Sequence, residues 1–143
     1  MNIVIDSNIL FSALIKDSIT RKVILDYNGT FLFPEYIFEE MEKHKEELLK
    51  KSKMKSKDFN NLLSLLLGKV LIVPTNSLYK YKKQAYEIVK EIDPGDVLFI
   101  ACALAYPQSF LWSDDKKLRR QSIVPILNTR EMFYYIYRKQ YML

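Results

Sequence analysis

Short, continuous apolar runs constrain this chain more than any other feature. Ile3-Val4-Ile5, Phe31-Leu32-Phe33, Val70-Leu71-Ile72-Val73, Phe110-Leu111-Trp112 and Val124-Pro125-Ile126-Leu127 are each bounded by turn or polar residues. They do not alternate with polar residues, which is the pattern of strands covered on both faces. Longer helical patterns separate them, so the expected fold is α/β, built of βαβ units around a parallel sheet of about five strands. Pro125 has no N–H to give to a ladder, which places the last run at a sheet edge. A length of 143 residues suits one domain over residues 1–143, large enough to bury its own core.

Helix starts are legible between the runs. Asp93-Pro94-Gly95-Asp96 offers a capping Asp, a Pro at the first helical position and an acid at the third. Asn128-Thr129-Arg130-Glu131 has the form of a capping box. After Pro34, the residues Ile37, Met41, His44 and Leu48 recur at helical spacing, and a second helix is expected around Phe59 to Leu66. The lysine-rich stretch Lys50–Lys57 reads as the solvated turn between them, giving a helical pair around residues 35–66.

One cysteine and one histidine rule out a disulfide framework, a Cys-based zinc site and a His-rich metal centre within the chain. Any metal chemistry therefore falls to carboxylates. Ligands of open parallel sheets bind beyond the carboxyl ends of the strands. Asp6 directly follows the first run, and Asp114 and Asp115 follow the fourth in the same way. Asp96 opens the helix that leads into the fourth strand, so it also begins at that end. At about 100° per residue, Glu40 lies about 60° from Ile37 and borders the apolar stripe, whereas Glu39 lies about 160° away on the solvent side. Asp96 and Asp115 also suit helix N-termini through the macrodipole, and Glu39-Glu40 suits a solvated pair. An acid that ends a buried apolar strand, as Asp6 does, needs a partner. Asp6, Glu40, Asp96 and Asp115 on separate elements would repel and raise one another's pKa. A divalent cation resolves that repulsion, and all-oxygen ligands select Mg²⁺ or Mn²⁺.

The same residues resemble the motifs of PIN-domain ribonucleases. Asp6-Ser7-Asn8-Ile9-Leu10 after Ile3-Val4-Ile5 is similar to the family's opening strand, Asp, Ser/Thr, Asn. Pro34-Glu35-Tyr36-Ile37-Phe38-Glu39-Glu40-Met41 resembles the second motif and again selects Glu40. Asp96-Val97-Leu98-Phe99-Ile100-Ala101 resembles the third. Trp112-Ser113-Asp114-Asp115-Lys116 is similar to the fourth and assigns Asp115 rather than Asp114. Asp93, Glu39 and Asp114 are extra acids beside these positions. The resemblance implies a PIN-like three-layer α/β/α sandwich with strand order 3-2-1-4-5. It also implies metal-dependent hydrolysis of RNA that leaves a 5′-phosphate and a 3′-hydroxyl. Compact members are often toxins of the VapC type, so RNA, a protein antitoxin and a homodimer are the expected partners.

On this reading Asp6, Glu40, Asp96 and Asp115 carry the metal and the catalysis, with Asp6 and Asp96 the foremost ligands. Asn8 and Ser113 orient carboxylates, although helix initiation is an equal use for Asn8. Lys116, Lys117, Arg119 and Arg120 contact RNA phosphates at the rim, or form a solubilising face. Tyr134, Tyr135, Tyr137 and Tyr141 suit packing or a subunit interface better than base stacking. His44 reads as a boundary residue rather than a base, and Cys102 as a small packed side chain.

A net charge of +5 suits an anionic partner without specifying one. The N-terminus lacks a charged segment followed by an apolar one, and the longest apolar stretch, Val97 to Tyr106, is about half of what a membrane span requires. A soluble cytoplasmic protein with no membrane contact is the expectation. A haloacid dehalogenase-type phosphatase fits less well, because Asn8 replaces the general acid of its DxD motif. A receiver domain fits worse still, since Val73 runs into Pro74-Thr75-Asn76. A non-catalytic RNA-binding scaffold with the same fold is the remaining alternative.

Overall fold

A computed structural model of the chain describes residues 2–16 and 18–141. The apolar runs become strands β1 (Asn2–Ile5), β2 (Thr30–Pro34), β3 (Val70–Val73), β4 (Phe110–Trp112) and β5 (Ile126–Leu127). They form one sheet in the order β3-β2-β1-β4-β5. Every pairing is parallel. This is the expected order, and its centre is the β1–β4 neighbourhood.

Right-handed crossovers assign the helices to the two faces. The steps from β1 to β2 and on to β3 carry α1 (Ser7–Ile15), α2 (Ile19–Asp26), α3 (Ile37–Ser52) and α4 (Ser56–Leu67). The return step from β3 to β4 carries α5 (Tyr79–Val89) and α6 (Val97–Ala105) on the other face. The last helix, α7 (Thr129–Tyr141), packs against α2. The result is the three-layer sandwich, with Ile3, Val4, Ile5, Phe31, Leu32, Phe33, Leu111 and Trp112 fully buried at its centre.

The strands are covered unevenly. β1, β2 and β4 are buried on both faces, as their continuous runs require. β3 is an edge strand, and Leu71 on it is 51% exposed. β5 keeps only Ile126–Leu127 of its run. Pro125 precedes it and pairs only through its carbonyl, which accepts from Leu111 N–H at 2.9 Å.

Local signals act as their chemistry dictates. Asn128 and Glu131 exchange reciprocal bonds of 2.8 and 3.0 Å, completing the capping box of α7. The lysine-rich stretch is mostly helical, and Lys53, with φ 58°, turns the chain out of α3 toward α4. On α7, Tyr135 packs edge-on to Phe110 and Tyr137 donates to Asp26 at 2.7 Å. These two rings are packing residues. Tyr134 is exposed, and the side chain of Tyr141 lies outside the described residues.

Candidate active site

Register sets the centre of the site. Ile5 pairs with Trp112, so the next residues, Asp6 and Ser113, meet where the two central strands end. The Asp6 N–H donates to the Trp112 carbonyl at 3.1 Å, and the Ser113 N–H donates to the Leu127 carbonyl at 3.0 Å. The Ser113 hydroxyl, 1% exposed, donates to Asp6 Oδ2 at 2.7 Å. The same hydroxyl accepts from the Asp115 N–H at 3.1 Å. One buried hydroxyl thus ties the acid after β1 to the acid after β4.

Asp6 is 6% exposed, and its other oxygen accepts from the Asn8 N–H at 3.3 Å. Burial raises its pKa most; the bonds from Ser113 and Asn8 oppose that, and Asp115 and Asp93 add to the rise. Asn8 contributes through its backbone, while its side chain is exposed and borders a cleft of about 270 Å³ beside Asp6 and Asp115.

Asp96 stands at the head of α6, whose Phe99 to Ala103 are buried. Its carboxylate makes no capping bond to that helix. A capping hydrogen bond therefore does not account for its place there. Burial first, then the charges of Asp6, Asp93 and Asp115, pushes its pKa up to about 7, with Lys117 pulling the other way. Ligand oxygens of Asp93, Asp96 and Asp115 lie within 4.8 Å of one another.

Asp93 is the acid that sequence reasoning places only as a cap and an extra carboxylate. It does cap, accepting from the Gly95 N–H at 3.0 Å. Its spacing of three from Asp96, across one tight turn, also puts both acids on the same side, and that spacing is the available signal. Asp115 is similarly shared, capping Lys117 N–H at 3.0 Å. Asp114 lines the cleft beside Asp6 and Asp115 but is committed to Thr129, accepting from its N–H and hydroxyl at 2.7 and 2.8 Å.

Glu40 is not one of these three converging carboxylates. It accepts from the Tyr36 hydroxyl, an interaction that with burial pushes that tyrosine to about 12. Its other neighbour is His44, at 3.5 Å; His44 also lies 3.6 Å from Glu47. Among the rim cations, Lys117 acts on Asp96 and lowers its pKa. Arg119 pairs with Glu131, while Lys116 and Arg119 line a second cleft of about 280 Å³ beside Asp114 and Asp115, together with Arg130. Arg120 is exposed. Cys102 is buried, with its thiol pushed up to about 12 by desolvation, so it is inert.

Ser113→Ala tests the tie between the strands. It leaves the buried Asp6 carboxylate without its shortest hydrogen bond, at an expected cost of about 1–3 kcal/mol. Because that bond favours the ionised form, the loss is larger at pH 8 than at pH 5. Urea denaturation at the two pH values checks this; a larger loss at pH 5 than at pH 8 would contradict it.

No helix among the described residues is long and apolar enough to cross a membrane. A comparison with curated proteins found no match. The family model of the PIN domain matches residues 4–136, and with the parallel 3-2-1-4-5 sheet and the acids at its carboxyl end, this chain belongs to the PIN-domain family.

Proposed function

We propose that this protein is a metal-dependent ribonuclease that hydrolyses phosphodiester bonds in RNA. The observation that carries the reading is the convergence of Asp93, Asp96 and Asp115 within 4.8 Å, facing the buried Asp6. Family membership points to nuclease chemistry, and an all-carboxylate donor set fits a hard divalent cation such as Mg²⁺ or Mn²⁺. Asp96, which makes no capping bond and is pushed up to about 7, gains from a cation by having its charged form stabilised.

Asp6, Asp96 and Asp115 would hold the cation, with Asp93 as a fourth oxygen source and Glu40 toward the rim. The chemistry a divalent cation would supply there is stabilisation of charge on the attacked phosphate and a lowered pKa of bound water. The chain's own groups do the rest. Ser113 and the Asn8 N–H orient Asp6 and oppose the rise that burial imposes on its pKa. Lys116, Lys117, Arg119 and Arg120 neutralise backbone phosphates at the mouth. In-line attack by water then leaves a 5′-phosphate and a 3′-hydroxyl.

Purified full-length protein incubated with mixed RNA and Mn²⁺ is expected to cut it, with products carrying 5′-phosphates and with EDTA stopping the reaction. Failure to cut RNA with any divalent cation would contradict the proposal and favour a non-catalytic scaffold. The chain's size also suits the toxin of a toxin–antitoxin pair. A small open reading frame immediately upstream of the gene, encoding an antitoxin, is the check for that role.

A further inference from the structure

The helix α5 carries Tyr79, Lys82, Lys83 and Tyr86 at spacings of three, four and seven, so they form one stripe. Such a stripe normally faces a core, yet Tyr79 is 62% and Tyr86 48% exposed. The stripe forms one wall of a groove of about 660 Å³. Tyr36, and Val97 and Leu98 from α6, are part of its lining. Pro94 and Gly95 also line it, and these are the residues between Asp93 and Asp96. The groove therefore reaches the turn that carries Asp93 and Asp96, while neither acid is part of its lining.

Its chemistry discriminates among occupants. The lining holds two lysines and no acid. Lys82 lies over the Tyr79 ring at 5.9 Å, so the cation and the ring are presented together. The acid in the next turn of α5, Glu87, is paired with Lys90 at 2.7 Å. Lysine is depleted in protein interfaces, and a two-fold contact between copies through this stripe would bring like charges together. Exposed aromatic faces interleaved with cations suit unpaired bases joined by phosphates.

We propose that the α5 groove is a binding site for single-stranded RNA, with Tyr36, Tyr79 and Tyr86 stacking on bases and Lys82 and Lys83 contacting phosphates. This rests on the ribonuclease reading and extends it to a contact surface outside the carboxylate cluster: an unpaired strand in the groove reaches the turn that carries Asp93 and Asp96. In a duplex the base faces are already stacked on one another and are closed to the tyrosines.

The test uses the full chain and a short fluorescein-labelled oligouridine, with binding read by anisotropy in EDTA so that no cleavage is needed. Wild type is expected to bind, with affinity falling as salt rises. Tyr79→Ala/Tyr86→Ala is expected to bind at least about fivefold more weakly, with the salt slope kept. Lys82→Gln/Lys83→Gln is expected to lower the slope of log affinity against log salt by about 1.4, at about 0.7 per phosphate contact on a single strand. Circular dichroism confirms that both variants fold. Wild-type affinity and slope in both variants would overturn the proposal, as would absence of binding by wild type. A dimeric wild type that becomes monomeric in either variant would assign the stripe to a subunit contact and overturn it equally. Binding through the groove without cleavage in Mn²⁺ would sink the ribonuclease reading alone. Cleavage by wild type with unchanged binding in the variants would sink the groove alone.

Discussion

In EDTA at pH 8, Asp96→Asn is expected to melt at a higher temperature than the wild type. The folded state raises the Asp96 pKa to about 7, against about 3.9 for an unfolded aspartate. Between those values the folded chain holds a proton that the unfolded chain has released. That contribution to stability is complete below about pH 3.9 and is lost as pH rises through 7. Asp6 is raised as well and acts with the same sign. The metal-free wild type should therefore lose stability from pH 5 to pH 8, and the asparagine should abolish most of the Asp96 share.

Solvent screening at a partly exposed group leaves a gain of about 1–2 kcal/mol, or about 3–6 °C for a chain of this size. At pH 5 the two proteins should differ much less, because the wild-type carboxyl is then protonated. Mn²⁺ should reverse the order at pH 8, stabilising the wild type by mass action and leaving the variant nearly unchanged. Thermal melts with EDTA and with Mn²⁺ check both statements. A lower melting temperature for Asp96→Asn in EDTA at pH 8 would show that burial and the neighbouring carboxylates do not destabilise the ionised Asp96.

Which parts of this are legible in the sequence follows from physics. The central strands are readable because a strand buried on both faces tolerates no polar residue, and Ile3-Val4-Ile5 and Phe110-Leu111-Trp112 contain none. The run of β3 reads as equally covered, but an edge strand leaves one side to solvent and Leu71 takes that place. The end of the sheet that holds the acids is also readable, since parallel strands all finish on one side.

The grouping of the acids is less so. A helical wheel ranks Glu40 over Glu39 but carries no distance to other elements, and Tyr36 and His44 turn out to be its neighbours. Asp93 looks like a cap because it is one; nothing local says that a carboxylate capping through one oxygen can still face Asp96 and Asp115. The α5 tyrosines give no signal either, because a Tyr-Lys-Lys-Tyr stripe has the same spacing whether it meets a core or a groove.

The second large effect concerns chemistry. Asp6→Asn and Asp96→Asn each remove one charged oxygen pair from the centre of the site while keeping nearly the same volume. The Asp96→Asn change relieves repulsion, so loss of activity in that variant cannot be assigned to unfolding. In Asp6→Asn the new amide still offers a carbonyl oxygen to the Ser113 hydroxyl, so the tie between β1 and β4 survives. Both variants are expected to cut RNA at least about 100-fold more slowly than wild type, which corresponds to about 3 kcal/mol of lost transition-state stabilisation. The loss should persist at high Mn²⁺, because the missing charge acts on the chemical step as well as on cation affinity.

Single-turnover cleavage of one defined single-stranded RNA in saturating Mn²⁺, with wild type, Asp6→Asn and Asp96→Asn side by side, tests the assignment most directly. The carboxylate site predicts cleavage by wild type and a fall of at least about 100-fold in both folded variants. Cleavage at the wild-type rate by both variants would contradict it.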